Sequence, residues 1–234
     1  MIEELDFETY LNISNNSLRI YVLNKKNMSN LYYKEFNFIN DEKDLDMDIV
    51  SKFLENNIFE IEKLIGNFIK NINIIIENKK IFSLNLGIKK KNYETKIDKK
   101  ILEITLTEAK DLLKENYQEY RVMHMIVNNF IINGSNYPKL IDNLECDNLC
   151  LDLKFILVPN KLAFEIEKVL ENYQIKITRY LNERYLKNFF RESGLELPQM
   201  AYKIHTGHNE NEVTLAQKNT KKLGFFERFF QLFS

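Results

Sequence analysis

The stretch Leu149-Cys150-Leu151-Asp152-Leu153-Lys154-Phe155-Ile156-Leu157-Val158 reads as a strand, and Pro159-Asn160 ends it. Residues Lys161 to Tyr173 then carry Leu162, Phe164, Ile166, Val169 and Leu170, the apolar complement of a helix. A strand at Ile175–Tyr180 and a helix at Asn182–Phe190 follow. Upstream, Tyr120–Asn128 and Phe130–Ile132 read as strands, and Asn133-Gly134 is a turn dipeptide able to supply positive φ. Before them Thr105-Leu106-Thr107-Glu108 has the spacing of a capping box, which predicts a helix start running to about Tyr117. Strand, helix, strand, strand, helix, strand: the order predicts an α/β layer structure.

The N-terminal part extends the pattern. Thr9–Ile13 and Leu18–Asn24 are strands separated by the turn Ser14-Asn15-Asn16-Ser17, and Asn30–Phe38 is a third. An acidic loop, Asp41–Asp48, leads into a helix whose Ile49, Phe53, Ile58, Ile61, Leu64, Ile65, Phe68 and Ile69 recur at three- and four-residue steps. Ile72–Ile76 and Ile81–Leu86 are strands around the turn Asn78-Lys79-Lys80. Ser193–Asn219 is polar and broken by Gly194, Pro198 and Gly207, so it reads as a linker holding at most one short helix.

Composition narrows the classes of function. With 44% hydrophobic and 29% charged residues, 234 residues suffice for a real core. The formal charge of −1 carries no bias toward nucleic acid, and none is expected as a partner. Two cysteines, Cys146 and Cys150, sit four apart; on a strand that is about 13 Å, too far for a disulfide, so free thiols and a reducing compartment are expected. Met1–Asp6 is acidic, unlike a secretion signal. No apolar run approaches the roughly 18 residues of a spanning helix. A cytoplasmic chain with at most peripheral membrane contact is therefore expected.

Residues Lys221 to Ser234 stand apart. On a helix Leu223, Phe226, Phe229, Phe230 and Phe233 form one stripe, with Glu227, Arg228 and Gln231 on the other side and Phe225 adding a further ring. Lys221 and Lys222 stand at its entrance, where anionic headgroups attract a cation by about 1 kcal/mol each. Aromatic rings suit the boundary of acyl chains and headgroups, and full burial of one Phe yields on the order of 1.5–3 kcal/mol. Lys221, Lys222, Leu223, Phe225, Phe226, Arg228, Phe229, Phe230 and Phe233 thus make a candidate membrane-binding set. Two other resting places stay open for the stripe: the protein's own core and a partner protein.

The order of parts resembles the bacterial cell-division protein FtsA family, membrane-bound actin-like ATPases. Glu103-Ile104-Thr105 before a helix is similar to the start of that family's inserted SHS2 subdomain. His124 at the head of an apolar strand, followed by Phe130-Ile131-Ile132-Asn133-Gly134, looks like its hairpin; Leu144–Val158 with the helix after it resembles its next strand and helix. Ile175-Lys176-Ile177 is similar to the strand returning to the actin-like core, and the end of the chain resembles the family's membrane-targeting sequence. The resemblance implies a partial actin-like (RNase H-like) subdomain from 1–79 and 175–192. It also implies an SHS2-like insert at 80–174, a linker at 193–220 and an amphipathic helix at 221–234.

The departures from the family are chemical. Leu11-Asn12-Ile13-Ser14-Asn15 occupies the place of the family's Asp-x-Gly phosphate loop. Asn12 gives no carboxylate to organise a metal ion, and Ser14 lacks the backbone freedom of Gly near phosphate. Asn12, Ser14 and Ser17 are therefore a degenerate nucleotide-binding set, and neither a cofactor nor a metal is expected. Between Asn188 and the linker there is no room for the family's second actin-like half. His205 and His208, with Glu210 and Glu212, are expected on solvated surface, and His124 in the core. No Walker loop and no Gly-x-Ser-x-Gly elbow is present. The reading is a non-catalytic, membrane-peripheral interaction protein of the division machinery. Its expected partners are an anionic membrane surface and FtsA-type or later division proteins, with weak self-association. A residual ATP-binding switch, or a drifted protein whose helix at 221–234 packs on its own core, are the alternatives.

Overall fold

The computed structural model describes residues 6–39, 45–91, 96–97, 99–141 and 144–213. The proposed membrane residues from Lys221 to Phe233 lie outside them. The described chain forms two units, one from the residues up to Lys80 plus Lys161–Thr206, the other from Ile81–Asn160 plus the residues from Gly207.

The first unit is built on a five-stranded sheet. Its strands are β1 (Phe7–Ile13), β2 (Ser17–Asn24), β3 (Asn30–Asn37), β4 (Asn71–Ile76) and β9 (Lys176–Asn182), in the order β3-β2-β1-β4-β9. β1, β2 and β3 are antiparallel neighbours; β4 runs parallel to both β1 and β9. Parallel strands need both faces covered, and the alternation of buried residues shows how this is met. Leu11, Ile13, Leu18, Ile20, Val22, Ile72, Ile74 and Ile76, all buried, point to one face. There α1 (Met47–Ile65) packs on β2 and β3 through its buried stripe Val50, Leu54, Ile58 and Ile61. On the same face the hydroxyl of Tyr180 donates to the carbonyl of Ala163 in α3 (Asn160–Glu171), 3.0 Å away.

The opposite face presents Tyr10, Tyr21, Leu23, Ile75 and Leu181. These pack with Leu186 and Phe190, at and just after α4 (Glu183–Phe189), and with Leu197, Ala201 and Ile204 of α5 (Leu197–His205). α1 begins after Asp46, whose side chain accepts from the amide of Asp48, and ends at Gly66 in the left-handed region (φ +67°).

The second unit carries β5 (Phe82–Lys91), β6 (Tyr120–Ile132), β7 (Ser135–Tyr137) and β8 (Asn148–Pro159) in the antiparallel order β5-β8-β6-β7. α2 (Lys99–Asn116) lays Leu102, Leu106, Ala109 and Leu113 on one sheet face, against Leu151, Leu153, Phe155 and Leu157 of β8 and Met125, Val127, Phe130 and Ile132 of β6. Asn133 (φ 49°) and Gly134 (φ 86°) both take positive φ between β6 and β7, as the dipeptide predicts.

Four expectations need correction. α2 starts at Lys99, before the Thr105–Glu108 spacing that was to mark its N-terminus; its apolar stripe already includes Leu102, and the Thr105 hydroxyl donates back to the carbonyl of Ile101 at 2.7 Å. The second unit opens at Ile81, so Glu103-Ile104-Thr105 lies inside its helix and not at its start. The helix after β8 belongs to the first unit, which therefore resumes at Lys161 and not at 175. The stretch from 193 to 213 is no linker: α5 fills the first unit's core, and Asn211–Val213 pair with β6 through Val127 N–H to Asn211 O (2.9 Å) and Val213 N–H to Met125 O (2.8 Å). Pro198 opens α5 at a position whose amide has no helical partner anyway, so it starts the helix and does not break one.

Candidate functional site

Ligands of parallel sheets collect at the carboxyl ends of the strands, and here those ends are Ile13, Ile76 and Asn182. Asn12, fully buried, is on the face that α4 covers. Its amide donates to the carbonyl of Ile75 (3.2 Å) and to Oε2 of Glu183 (2.8 Å). β1 turns at Ser14, whose amide donates to the carbonyl of Ser17 (2.9 Å) and whose hydroxyl donates to the same Oε2 of Glu183 at 2.6 Å. Glu183 is the first residue of α4, placed there because Asn182 caps the helix by accepting from the amide of Tyr185 (2.9 Å). Lys187, one turn on, donates to Oε1 of Glu183 at 2.5 Å. Arg19 closes the network, donating from Nη1 to Oδ1 of Asn12 (3.1 Å) and from Nε to Glu35 (2.8 Å).

Only 2% of Glu183 is exposed. Burial by itself would raise its carboxyl, but the hydrogen bonds from Lys187, Ser14 and Asn12, together with the Lys187 charge, outweigh that and hold it below the usual carboxylate range. Of the three residues in the degenerate nucleotide-binding set, the structure brings Asn12 and Ser14 onto one carboxylate. Ser17 is buried at the start of β2, and its carbonyl accepts from Ser14. Glu183 was not among the sequence candidates; the only local signal was an Asn-Glu pair at the strand-to-helix junction.

The network consumes its own donors. Asn12 Nδ2 and the Ser14 hydroxyl, the groups that could meet phosphate oxygens, both end on a buried negative charge. Lys187 balances that charge.

A second concavity, of about 310 Å³, lies at the amino ends of the same strands, lined by Glu8, Thr9, Asn73 and His205 among others. His205, expected on solvated surface, is partly buried, with Nδ1 3.9 Å from the Glu8 carboxylate, whereas His208 is exposed as expected. Glu212, expected on the surface, is buried, with Oε1 2.7 Å from Nδ1 of His124 in the second unit. His124 is buried as expected, and Cys146 and Cys150 are both free. Among the described residues no helix is long and apolar enough to cross a membrane.

No protein-family model matches the chain, and no curated protein matches its sequence. Solved structures do. The PilM-PilN type IV pilus biogenesis complex aligns with a TM-score of 0.52 at 8% identity, over 81% of this chain and 51% of that one. The fold is a partial actin-like one.

Weaker likeness extends to the cytoplasmic domain of EpsL, an inner membrane component of the type II secretion system of Vibrio cholerae (9% identity, 77% of this chain, 57% of that one, TM-score 0.36). It extends also to a Bacteroides thetaiotaomicron protein of actin-like ATPase fold and unknown function (13% identity, 83% and 61%, TM-score 0.35). The chain spans 51–61% of the length of these structures.

A carboxyl whose folded pKa lies below its unfolded value of about 4.3 stabilises the fold above that value and loses the contribution as pH falls through the lower one. Glu183→Gln is therefore expected to destabilise by roughly 1–3 kcal/mol at pH 7, where it weakens the bonds to Asn12, Ser14 and Lys187. The gap between variant and wild type narrows below about pH 4. Urea unfolding at both pH values measures it; a gap of equal size at pH 7 and pH 3 contradicts the assignment.

Proposed function

We propose that the chain is a non-catalytic, membrane-peripheral interaction protein in which an actin-like scaffold presents docking surfaces and residues 221–234 supply location. The observation that carries the non-catalytic part is the Asn12–Glu183–Ser14 network. Where an actin-like ATPase needs donors free for phosphate, this protein spends them on an internal carboxylate.

Two further features support the interaction role. The fold is shared with a protein solved as part of a two-protein complex, PilM-PilN. The Lys221–Phe233 segment has the charge and aromatic stripe of an interfacial helix. The finer reading places the protein in the bacterial division machinery, FtsA-like. There the second unit acts in the manner of an SHS2 subdomain and recruits or tethers division proteins at the cytoplasmic face of the inner membrane. Its support is the sequence resemblance.

Wild-type protein should co-sediment with phosphatidylglycerol vesicles, and Phe226→Asp/Phe230→Asp should weaken that binding about tenfold or more, since even half-burial of two rings amounts to roughly 1.5–3 kcal/mol. Equal binding by the two proteins removes lipid from the reading. Titration with labelled ATP and magnesium is expected to give no saturable signal; saturation would instead make the chain a nucleotide switch. A fluorescent fusion should collect in a midcell band before division. A uniform rim would leave a membrane protein with no division role.

A further inference from the structure

The last described residues are fastened to the second unit at several points. Lys139 donates to the carboxylate of Glu210 at 2.6 Å, and the side-chain amide of Asn211 donates to the carbonyl of Pro138 at 2.8 Å. β7 covers β6 only at Phe130–Ile132, and Asn211–Val213 take the same edge further back. There Ile126 and Glu212 form an antiparallel bridge, flanked by the two backbone bonds to Val127 and Met125. The Glu212 side chain reaches His124, with 3% and 0% of the two side chains exposed, and Val213 enters the α2-covered core at 1% exposure. A carboxyl group buried against a buried imidazole, plus an apolar neighbour in the core, makes this a clamp and not a passing contact.

The clamp shortens the leash. Lys221 is eight residues beyond Val213, and eight residues span at most about 28 Å even when fully extended. A free tether of 28 residues from 193 to 220 would have had a typical end-to-end distance of about 30 Å and a far greater maximum, starting from the first unit.

We propose that the second unit is the part of this protein held at the bilayer. The membrane-apposed side is the one from which the chain leaves Val213, beside the Pro138–Lys139 corner, with anionic phospholipid as the surface opposite it. The inference rests on the reading that residues 221–234 bind lipid. It adds which unit bears the attachment and how closely it is held.

The test uses the full chain with a donor dye coupled through an azide-bearing side chain replacing Asn136, which is exposed on β7. Energy transfer is read on phosphatidylglycerol vesicles doped with an acceptor-labelled lipid. Two further proteins carry an insert of about sixty Gly and Ser residues, spanning typically about 43 Å. One has it after Gly207, upstream of the clamp; the other has it after Ala216, downstream.

The upstream insert should leave transfer as in the uninserted protein, and the downstream insert should lower it about twofold or more. Equal losses from both inserts, or none from the downstream one, overturn the proposal. Hydrogen exchange at the amides of Val127 and Val213 reports whether the clamp stays seated in the upstream protein. If they lose protection, the downstream insert decides alone, and unchanged transfer there overturns the proposal. Failure of the uninserted protein to sediment with the vesicles strikes the lipid reading itself, a result distinct from all of these.

Discussion

β4, Asn-Ile-Asn-Ile-Ile-Ile, lies between two parallel neighbours and is buried from Ile72 onward. A strand so placed has no edge and no wet face, so every side of it must be supplied by other parts of the chain. α1 precedes it directly, but β9 pairs with it from a hundred residues further on, and α4 and α5 cover its second face from later still. The first unit is therefore complete only when the chain has returned from the second. This accounts for the placement of α3, α4 and α5 with β1–β4 despite their distance in sequence. It also accounts for α5: without Leu197, Ala201 and Ile204, the cluster around Tyr10 and Tyr21 would keep only Leu186 and Phe190 from the helical side as buried apolar cover.

The polar network at the strand ends follows from the same geometry. With β1 parallel to β4 and β4 to β9, Asn12 and the start of α4 come to one end of the sheet. An asparagine buried there must satisfy two donors and an acceptor. It does so with Ile75, Glu183 and Arg19. Glu183 in turn can stay ionised in a buried place only because Lys187, Ser14 and Asn12 all donate to it. The charges nearly balance: Lys187 answers Glu183, Arg19 answers Glu35, and Arg184 answers Glu77 at 3.0 Å. Such a site ties β1, β4 and α4 together at one end of the sheet.

Sequence reading captured what local periodicity encodes. The strands around Thr9–Ile13 and Leu18–Asn24, the acidic start of α1, the Asn133-Gly134 turn and the long strand ending at Pro159 all match; the α1 stripe matches in part, with Phe53, Ile58, Ile61 and Ile65 buried but Leu64 and Phe68 exposed and the helix ending at Ile65. It failed where the deciding partner is distant. α5 offers only Leu197, Ala201 and Ile204 as an apolar stripe, and its proline read as a breaker. Glu212 is a polar residue in a polar stretch, and its burial depends on His124, 88 positions away. Glu183 became visible only once two parallel registers had set Asn12 beside it. Boundaries erred for a related reason: α2 continues upstream of a capping-box spacing because Leu102 has a core to enter, a fact of the second unit's packing and not of the local string.

The two errors in the supposed linker share a consequence. A polar segment that folds along its length transmits position, whereas a free one transmits only proximity. α5 binds the first unit's core, and Asn211–Val213 bind the second unit's sheet edge, so any attachment made beyond Val213 acts on the second unit first. Force or confinement applied there meets two backbone hydrogen bonds and the Glu212–His124 pair before reaching Gly207. Peeling that strip would strand a carboxylate and an imidazole that the fold otherwise buries together, which penalises partial release more than the two backbone bonds alone would. Release of that strip is opposed by the buried Glu212–His124 contact as much as by the two backbone bonds beside it.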